Sequence, residues 1–161
     1  MITKPKIYVM VGAPCSGKST WIKKFLASEK ENFVVISSDN IIEDLSAKDG
    51  LNYSQGWEKY IGIATTMMNA EFRNAVNNNK NIIYDQTNMS SKKRKLIISG
   101  LDHYEKIAVL FQCDTRTLFA RNNKRAQTDG KFIPEKVILN MLKNYDPISK
   151  DEKFDKVIRA G

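Results

Sequence analysis

Residues 7–20 read IYVMVGAPCSGKST. The first five are apolar and short, as a strand buried on both faces of a parallel sheet is. The rest hold the spacing G-x-x-x-x-G-K-S, and helical periodicity follows from residue 18. A strand that leaves through such a loop and re-enters as a helix aims several backbone N–H groups, and the positive end of the helix dipole, at one point. That point suits a phosphate. Gly12, Ala13, Pro14, Cys15, Ser16, Gly17, Lys18, Ser19 and Thr20 are therefore the expected phosphate-binding residues of a P-loop. In such a loop the lysine, Lys18, reaches the β/γ oxygens as a point charge and the Ser19 hydroxyl joins a Mg²⁺ shell. Cys15 stands where loop geometry, rather than side-chain chemistry, is the first reading.

Outward from this loop, short runs at 7–11, 33–37, 81–84, 106–111 and 154–158 read as parallel strands. They alternate with helical patterns near 18–30, 55–78, 90–104, 115–127 and 134–145. Alternation of this kind predicts an α/β fold, a doubly wound five-stranded parallel sheet with helices on both faces. Ser90 and Ser91 are candidate caps, Pro134 suits the first turn of a helix and Pro147 helps to end it. The stretch 121–133, RNNKRAQTDGKFI, is polar and aperiodic, and reads as a mobile charged connection.

A chain of 161 residues is expected to form one domain, 1–161, without a linker. Hydrophobic residues make up 42% and charged residues 27%, with no apolar run long enough to span a bilayer, so no membrane association is expected. The start, Met1 to Lys6, lacks a cleavage-site pattern. Cytoplasmic location is the expectation, in a host cytoplasm if the protein is phage-encoded. Cys15 and Cys113 are far apart and His103 is the single histidine, which argues against a zinc cluster. A net charge of +8 favours polyanionic partners.

The P-loop alone does not separate kinases from switch GTPases and motor ATPases. A switch GTPase needs an NKxD motif, but Asn123-Lys124 is followed by Arg125-Ala126; a motor ATPase usually needs more chain. A small kinase fits the length. Asp39 follows the second strand, where the carboxyl end opens into the crevice that holds the P-loop. It can accept a proton from an acceptor hydroxyl, or Ser38 or Asp39 can simply cap a short helix beginning near Asn40. Asp85 ends the third strand and could hold Mg²⁺ through water, orient Lys18 or Ser19, or order the turn with Thr87 and Asn88. Arg121 and Arg125 lie four apart, and with Lys124 and Lys131 they read as a lid bringing guanidinium groups to a transferring phosphoryl group. Lys92-Lys93-Arg94-Lys95 reads first as a solvated helix turn, with nucleic-acid contact as the alternative. Trp57, Tyr60, Met67, Met68 and Phe72 have helical spacing and are expected mostly in the core, Trp57 being the candidate for stacking on a base.

Together these pieces resemble the kinase domain of the phage-type polynucleotide 5′-hydroxyl kinases. They are Gly12 to Trp21, Ser37 to Asp39, Asp85 to Asn88 with Lys92 to Lys95, and Arg121-Asn122-Asn123-Lys124-Arg125 with Pro134. The resemblance runs over nearly the whole chain. It implies strand order 2-3-1-4-5, a nucleotide-kinase-like fold with a helical lid, and ATP and Mg²⁺ as cofactors. It also implies a 5′-OH end of DNA or RNA as acceptor, Asp39 as general base and Arg121 and Arg125 at the phosphates; with Lys18 of the P-loop these are the expected catalytic residues, and Thr87, Asn88 and Trp57 are the expected acceptor contacts. Phage relatives form homo-oligomers, and the phosphatase domain that accompanies their kinase is not expected here. One position departs: three residues after the base those enzymes carry an arginine, and here stands Ile42. Two other functions remain open, transfer to another hydroxyl (a nucleoside, a small alcohol or a hydroxymethyl group on a modified base) and a nucleotide-dependent binding switch.

Overall fold

The computed structural model describes residues 3–160; Met1 and Ile2, the start of the segment read for a signal, and Gly161 lie outside them. Five strands form one parallel sheet: β1 (Lys6–Val11), β2 (Phe33–Ile36), β3 (Asn81–Tyr84), β4 (Glu105–Leu110) and β5 (Lys156–Arg159). Their order is β2-β3-β1-β4-β5, as the resemblance implies. β1 is thus the central strand. Its side chains divide with period two: Ile7, Val9 and Val11 enter one apolar cluster with Ile36, Ile82 and Tyr84, while Met10 enters a second with Ile22, Ile83 and Phe111. A strand buried on both faces cannot shift register without exposing one set, so its carboxyl end is fixed in space.

Helices cover both faces. α1 (Lys18–Ser28) packs Ile22, Trp21 and Phe25 into the second cluster, where Trp21 and Phe25 stack with ring centres 5.0 Å apart. On the other face lie α2 (Ser38–Lys48), α3 (Tyr53–Asn77) and α4 (Ser91–Ile98). α2 and α3 approach closely at Gly56, where any Cβ would collide with the buried Ser46. α5 (Thr115–Asp129) and α6 (Glu135–Lys143) enclose a third, smaller cluster of Ala13, Leu118 and Ile138. No helix among the described residues is long and apolar enough to cross a membrane.

Three expectations need correction. The helix after β2 is eleven residues long and is capped by Ser37, whose hydroxyl accepts from the Asn40 N–H, so neither Ser38 nor Asp39 is the cap. The stretch 121–133 is a connection only over residues 130–133: α5 continues to Asp129, capped at its start by Asp114 and ended by Gly130 at φ 64°. The helix expected over 90–104 stops at Ile98, with Gly100 turning the chain at φ 76° so that Leu101 and Tyr104 reach the core. The spaced aromatic and methionine positions of α3 divide as expected: Met68 is buried and Tyr60 and Phe72 pack against the core, while Trp57 and Met67 are 43% and 40% exposed.

The basic run 92–95 also changes meaning. Arg94 is fully buried and makes five hydrogen bonds: its Nε and one terminal nitrogen donate to Glu152 at 2.6 and 3.1 Å, and the terminal nitrogens also donate to the carbonyls of Asn88, Met89 and Asp146. The guanidinium thereby ties the loop after β3 to α4 and to the turn at Lys150–Glu152. Burial pushes the Glu152 carboxyl up, but hydrogen bonds from Arg94 and from the Ser149 N–H outweigh it and hold the group below its ordinary value. Removing one member leaves the other charged and dry. Arg94→Met is therefore expected to lower unfolding free energy by about 3–5 kcal/mol in urea titrations. An unchanged midpoint would show that the pair is dispensable.

Candidate active site

The P-loop leaves β1 at Gly12, where there is no room for a side chain: an added Cβ would lie 2.9 Å from Phe111 Cβ and 2.7 Å from Ser16 Oγ. The Gly12 N–H donates to the Thr87 carbonyl at 2.9 Å, and the Asn88 side-chain amide donates to the Met10 carbonyl at 2.7 Å. The loop after β3 thus braces the loop after β1. Asn88 is fully buried in this role, at φ 48°, and so is not open to an acceptor as expected from its position. Thr87 does line a cleft of about 350 Å³ shared with Met89, Ser90, Lys93, Asn140 and Asn144.

Inside the P-loop the geometry is that of a site built for an anion. Gly17 adopts φ 107°, which lets the chain turn into α1 and directs its first N–H groups outward. Ser16 Oγ is buried and finds no hydrogen-bond partner among the described residues. Lys18 Nζ donates to the carbonyls of Gly12 at 2.6 Å and Ala13 at 3.4 Å. Burial pulls the Lys18 ammonium down to about 8, against the favourable charges of Asp85 and Asp39. A half-buried cation and an orphaned hydroxyl in one concave loop fit the β- and γ-phosphates of a nucleotide.

Asp85 ends β3 with its N–H on the Ile36 carbonyl, and burial raises its carboxyl while nearby Lys18 opposes that rise. Asp85 and Ser19 are hard oxygen donors of the kind Mg²⁺ takes. No group of three His, Cys, Asp or Glu among the described residues is spaced to hold a metal by itself. An ion there would draw its other ligands from nucleotide oxygens and water.

Arg121 and Arg125 both reach Cys15 across more than a hundred residues of sequence. One donates to its carbonyl at 3.0 Å and the other to its Sγ at 2.8 Å. Both guanidinium groups therefore rest on the P-loop at Cys15. Asn122, between them, is buried and holds the returning chain by a pair of bonds to Ile133, its side chain donating at 2.6 Å and accepting at 3.1 Å.

Asp39 lies in the first turn of α2, on the crevice side. Its carboxylate accepts from the Tyr53 hydroxyl at 2.7 Å and pairs with Lys131 at 3.4 Å. Burial, then the charge and hydrogen bond of Asp39, push the Tyr53 phenol up, so it stays a donor at any ordinary pH. Tyr53 was missed by sequence reasoning: it opens α3 fourteen residues beyond Asp39 and no local pattern connects them. Gln86, whose amide donates to Ser38 Oγ at 2.9 Å, was missed for the same reason. Ile42 is fully buried, so that position on α2 faces the core and not the crevice. Trp57 stands one turn beyond Tyr53 with its indole half exposed, and Phe132 of the lid loop is 42% exposed.

A phosphate-binding loop, a carboxylate and several cations thus surround one crevice at the carboxyl end of a 2-3-1-4-5 parallel sheet, the arrangement of a kinase-type P-loop fold. The chain belongs to the AAA domain family (AAA_33), whose model matches residues 7–148. Among solved structures it is similar to a chain of the Pnkp1/Rnl/Hen1 RNA repair complex, at 28% identity and TM-score 0.69, covering 89% of this chain and 45% of that one. It shares its fold with shikimate kinase from Acinetobacter baumannii at 18% identity and TM-score 0.59, covering 99% of this chain and 85% of that one. The heterogeneous nuclear ribonucleoprotein U-like protein 2 of Mus musculus and of Homo sapiens is 24% identical over 97% of this chain. This chain spans only 22% and 21% of those relatives. These likenesses show a kinase-type P-loop fold.

The lowered Lys18 value has a sign that can be tested. The protonated lysine is the form that binds phosphate, and it predominates below about pH 8 in the free protein. As pH rises through that value, binding must first restore the proton. ATP affinity measured by calorimetry is therefore expected to be flat below that pH and to weaken by up to about tenfold per unit above it. Lys18→Met should abolish the slope along with most of the affinity. A flat profile in the native protein would place the Lys18 charge outside the binding step.

Proposed function

We propose that the protein transfers the γ-phosphate of ATP to the 5′-hydroxyl of a polynucleotide, DNA or RNA, acting through a single catalytic unit. The observation that carries this reading is the set of groups around one crevice: the half-buried Lys18, the Tyr53-held Asp39, and two arginines seated on Cys15. A binding switch needs no proton acceptor beside its phosphate site, and this crevice has one. The likeness to the RNA repair complex and the +8 net charge support a polynucleotide acceptor.

In the proposed reaction the P-loop N–H groups and Lys18 hold the β- and γ-phosphates in place. Ser19 and Asp85 would hold Mg²⁺, which when bound neutralises charge between those phosphates. Asp39, oriented by Tyr53, accepts the proton of the attacking hydroxyl as the new O–P bond forms. Arg121 and Arg125 leave Cys15 for the phosphoryl oxygens, where charge spreads in the transition state, and the lid excludes water. Thr87 and Lys93, on the neighbouring cleft, would take the acceptor strand, with Trp57 available to stack on a base.

A second reading keeps the chemistry and changes the acceptor to a nucleoside, a small alcohol or a hydroxymethylated base. It is favoured by Ile42, which gives α2 no cation at that position. Labelled γ-phosphate offered with Mg²⁺ to 5′-OH DNA, 5′-OH RNA, nucleosides and hydroxymethyl-base DNA separates the two. Label at a 5′ end is expected, with log affinity for the oligonucleotide falling against log salt by about 0.7 per phosphate contacted. Label only on small alcohols, with no salt slope, would overturn the polynucleotide reading in favour of the second.

A further inference from the structure

Both oxygens of Asp39 are already occupied. Tyr53 donates to Oδ1 at 2.7 Å, and Lys131 faces Oδ2 at the longer distance of 3.4 Å. Lys131 comes from the lid loop, not from α2 or α3. Gly130, at φ 64°, ends α5 and turns the chain down toward the start of α3. There it packs against Asn52, and the Phe132 N–H donates to Ser54 Oγ at 3.1 Å. Lys131 is consequently held over the Tyr53 ring, 4.3 Å from its centre, and shared with Glu43 at 3.1 Å. Glu43 lies one helical turn beyond Asp39, so the two carboxylates form one acidic face that meets this single ammonium. Its side chain is only 14% exposed.

An acceptor hydroxyl that gives its proton to Asp39 must come within hydrogen-bond reach of a carboxylate oxygen. The 2.7 Å Tyr53 contact is the stronger, so the hydroxyl takes Oδ2, where it competes with the long Lys131 contact and displaces it. The displaced ammonium stays against Tyr53 and Glu43, largely shut off from water, having lost one of its two carboxylate partners. A neutral acceptor leaves that loss uncompensated. An acceptor with a phosphate close to its reacting hydroxyl restores the partner.

We propose that Lys131 is a specificity-determining residue of the acceptor site: a displaceable counter-ion of Asp39 that admits acceptors bearing a phosphate beside the attacking hydroxyl and penalises neutral ones. The inference rests on the reading of this crevice as a phosphotransferase site with Asp39 as base. In the step it describes, the hydroxyl oxygen bonds to the γ-phosphorus as the bond to the β,γ-bridging oxygen breaks. ADP departs with that oxygen, and the hydroxyl proton passes to Asp39 Oδ2. Meanwhile Lys131 exchanges Asp39 for the acceptor phosphate.

The test compares a nucleoside 3′-phosphate with the same nucleoside as acceptors, with a 5′-OH oligonucleotide as reference, in the native protein, Lys131→Met and Lys131→Arg. The native protein is expected to prefer the phosphate-bearing acceptor by about a hundredfold in kcat/KM. Lys131→Met should reduce that ratio to within about threefold, chiefly by raising KM for the phosphorylated acceptor, and Lys131→Arg should keep most of it. Calorimetric ATP binding by each variant reports that the P-loop is folded. A ratio undiminished in Lys131→Met, or an equal fall for both acceptors, would overturn the inference while oligonucleotide labelling leaves the function standing. Absence of label on the oligonucleotide in the native protein would instead overturn the function beneath it, and the inference with it.

Discussion

Everything in the crevice is positioned from the carboxyl end of β1. That strand is central in the sheet, buried on both faces, and leaves through Gly12, whose N–H is pinned to the Thr87 carbonyl. Gly12 has no space for a Cβ between Ser16 and Phe111, so the loop leaves the strand in close contact with the chain after β4. The loop after β3 is held by the Gly12–Thr87 hydrogen bond and by Arg94, whose five hydrogen bonds hold it from below. The cost of burying Arg94 with Glu152 is consistent with a site that needs fixed geometry more than it needs surplus stability.

Around this fixed point the remaining groups are held by contacts that a ligand can exchange. Lys18 rests on backbone carbonyls, Arg121 and Arg125 rest on Cys15, and Lys131 rests on Asp39 and Glu43. Each cation sits on a partial or full negative charge that phosphate oxygens can replace. The rigid part of the crevice is thus backbone and apolar packing, and the adaptable part is four long cationic side chains.

The sheet was legible because parallel strands buried on both faces appear as short apolar runs, and the P-loop because its spacing is tied to one backbone shape. The lid was harder. Residues 121–129 are polar on nearly every face, and they are helical because Leu118 and Asn122 are buried beneath them, Asp114 starts the helix and Gly130 stops it. Arg94 was hidden in a basic run that looks solvated, since nothing nearby announces Glu152, fifty-eight residues on. Tyr53 and the Lys131 contact were invisible for the same reason: they join Asp39 only through the packing of α3 and the lid loop against α2.

The proposed role of Asp39 lies with the acceptor and not with nucleotide binding. The decisive measurement is single-turnover transfer of labelled γ-phosphate by Asp39→Asn, alongside its ATP affinity. Transfer is expected to slow by about a hundredfold or more, with ATP affinity changed by less than about threefold. Transfer at the native rate would contradict it and leave the carboxylate with a purely structural part.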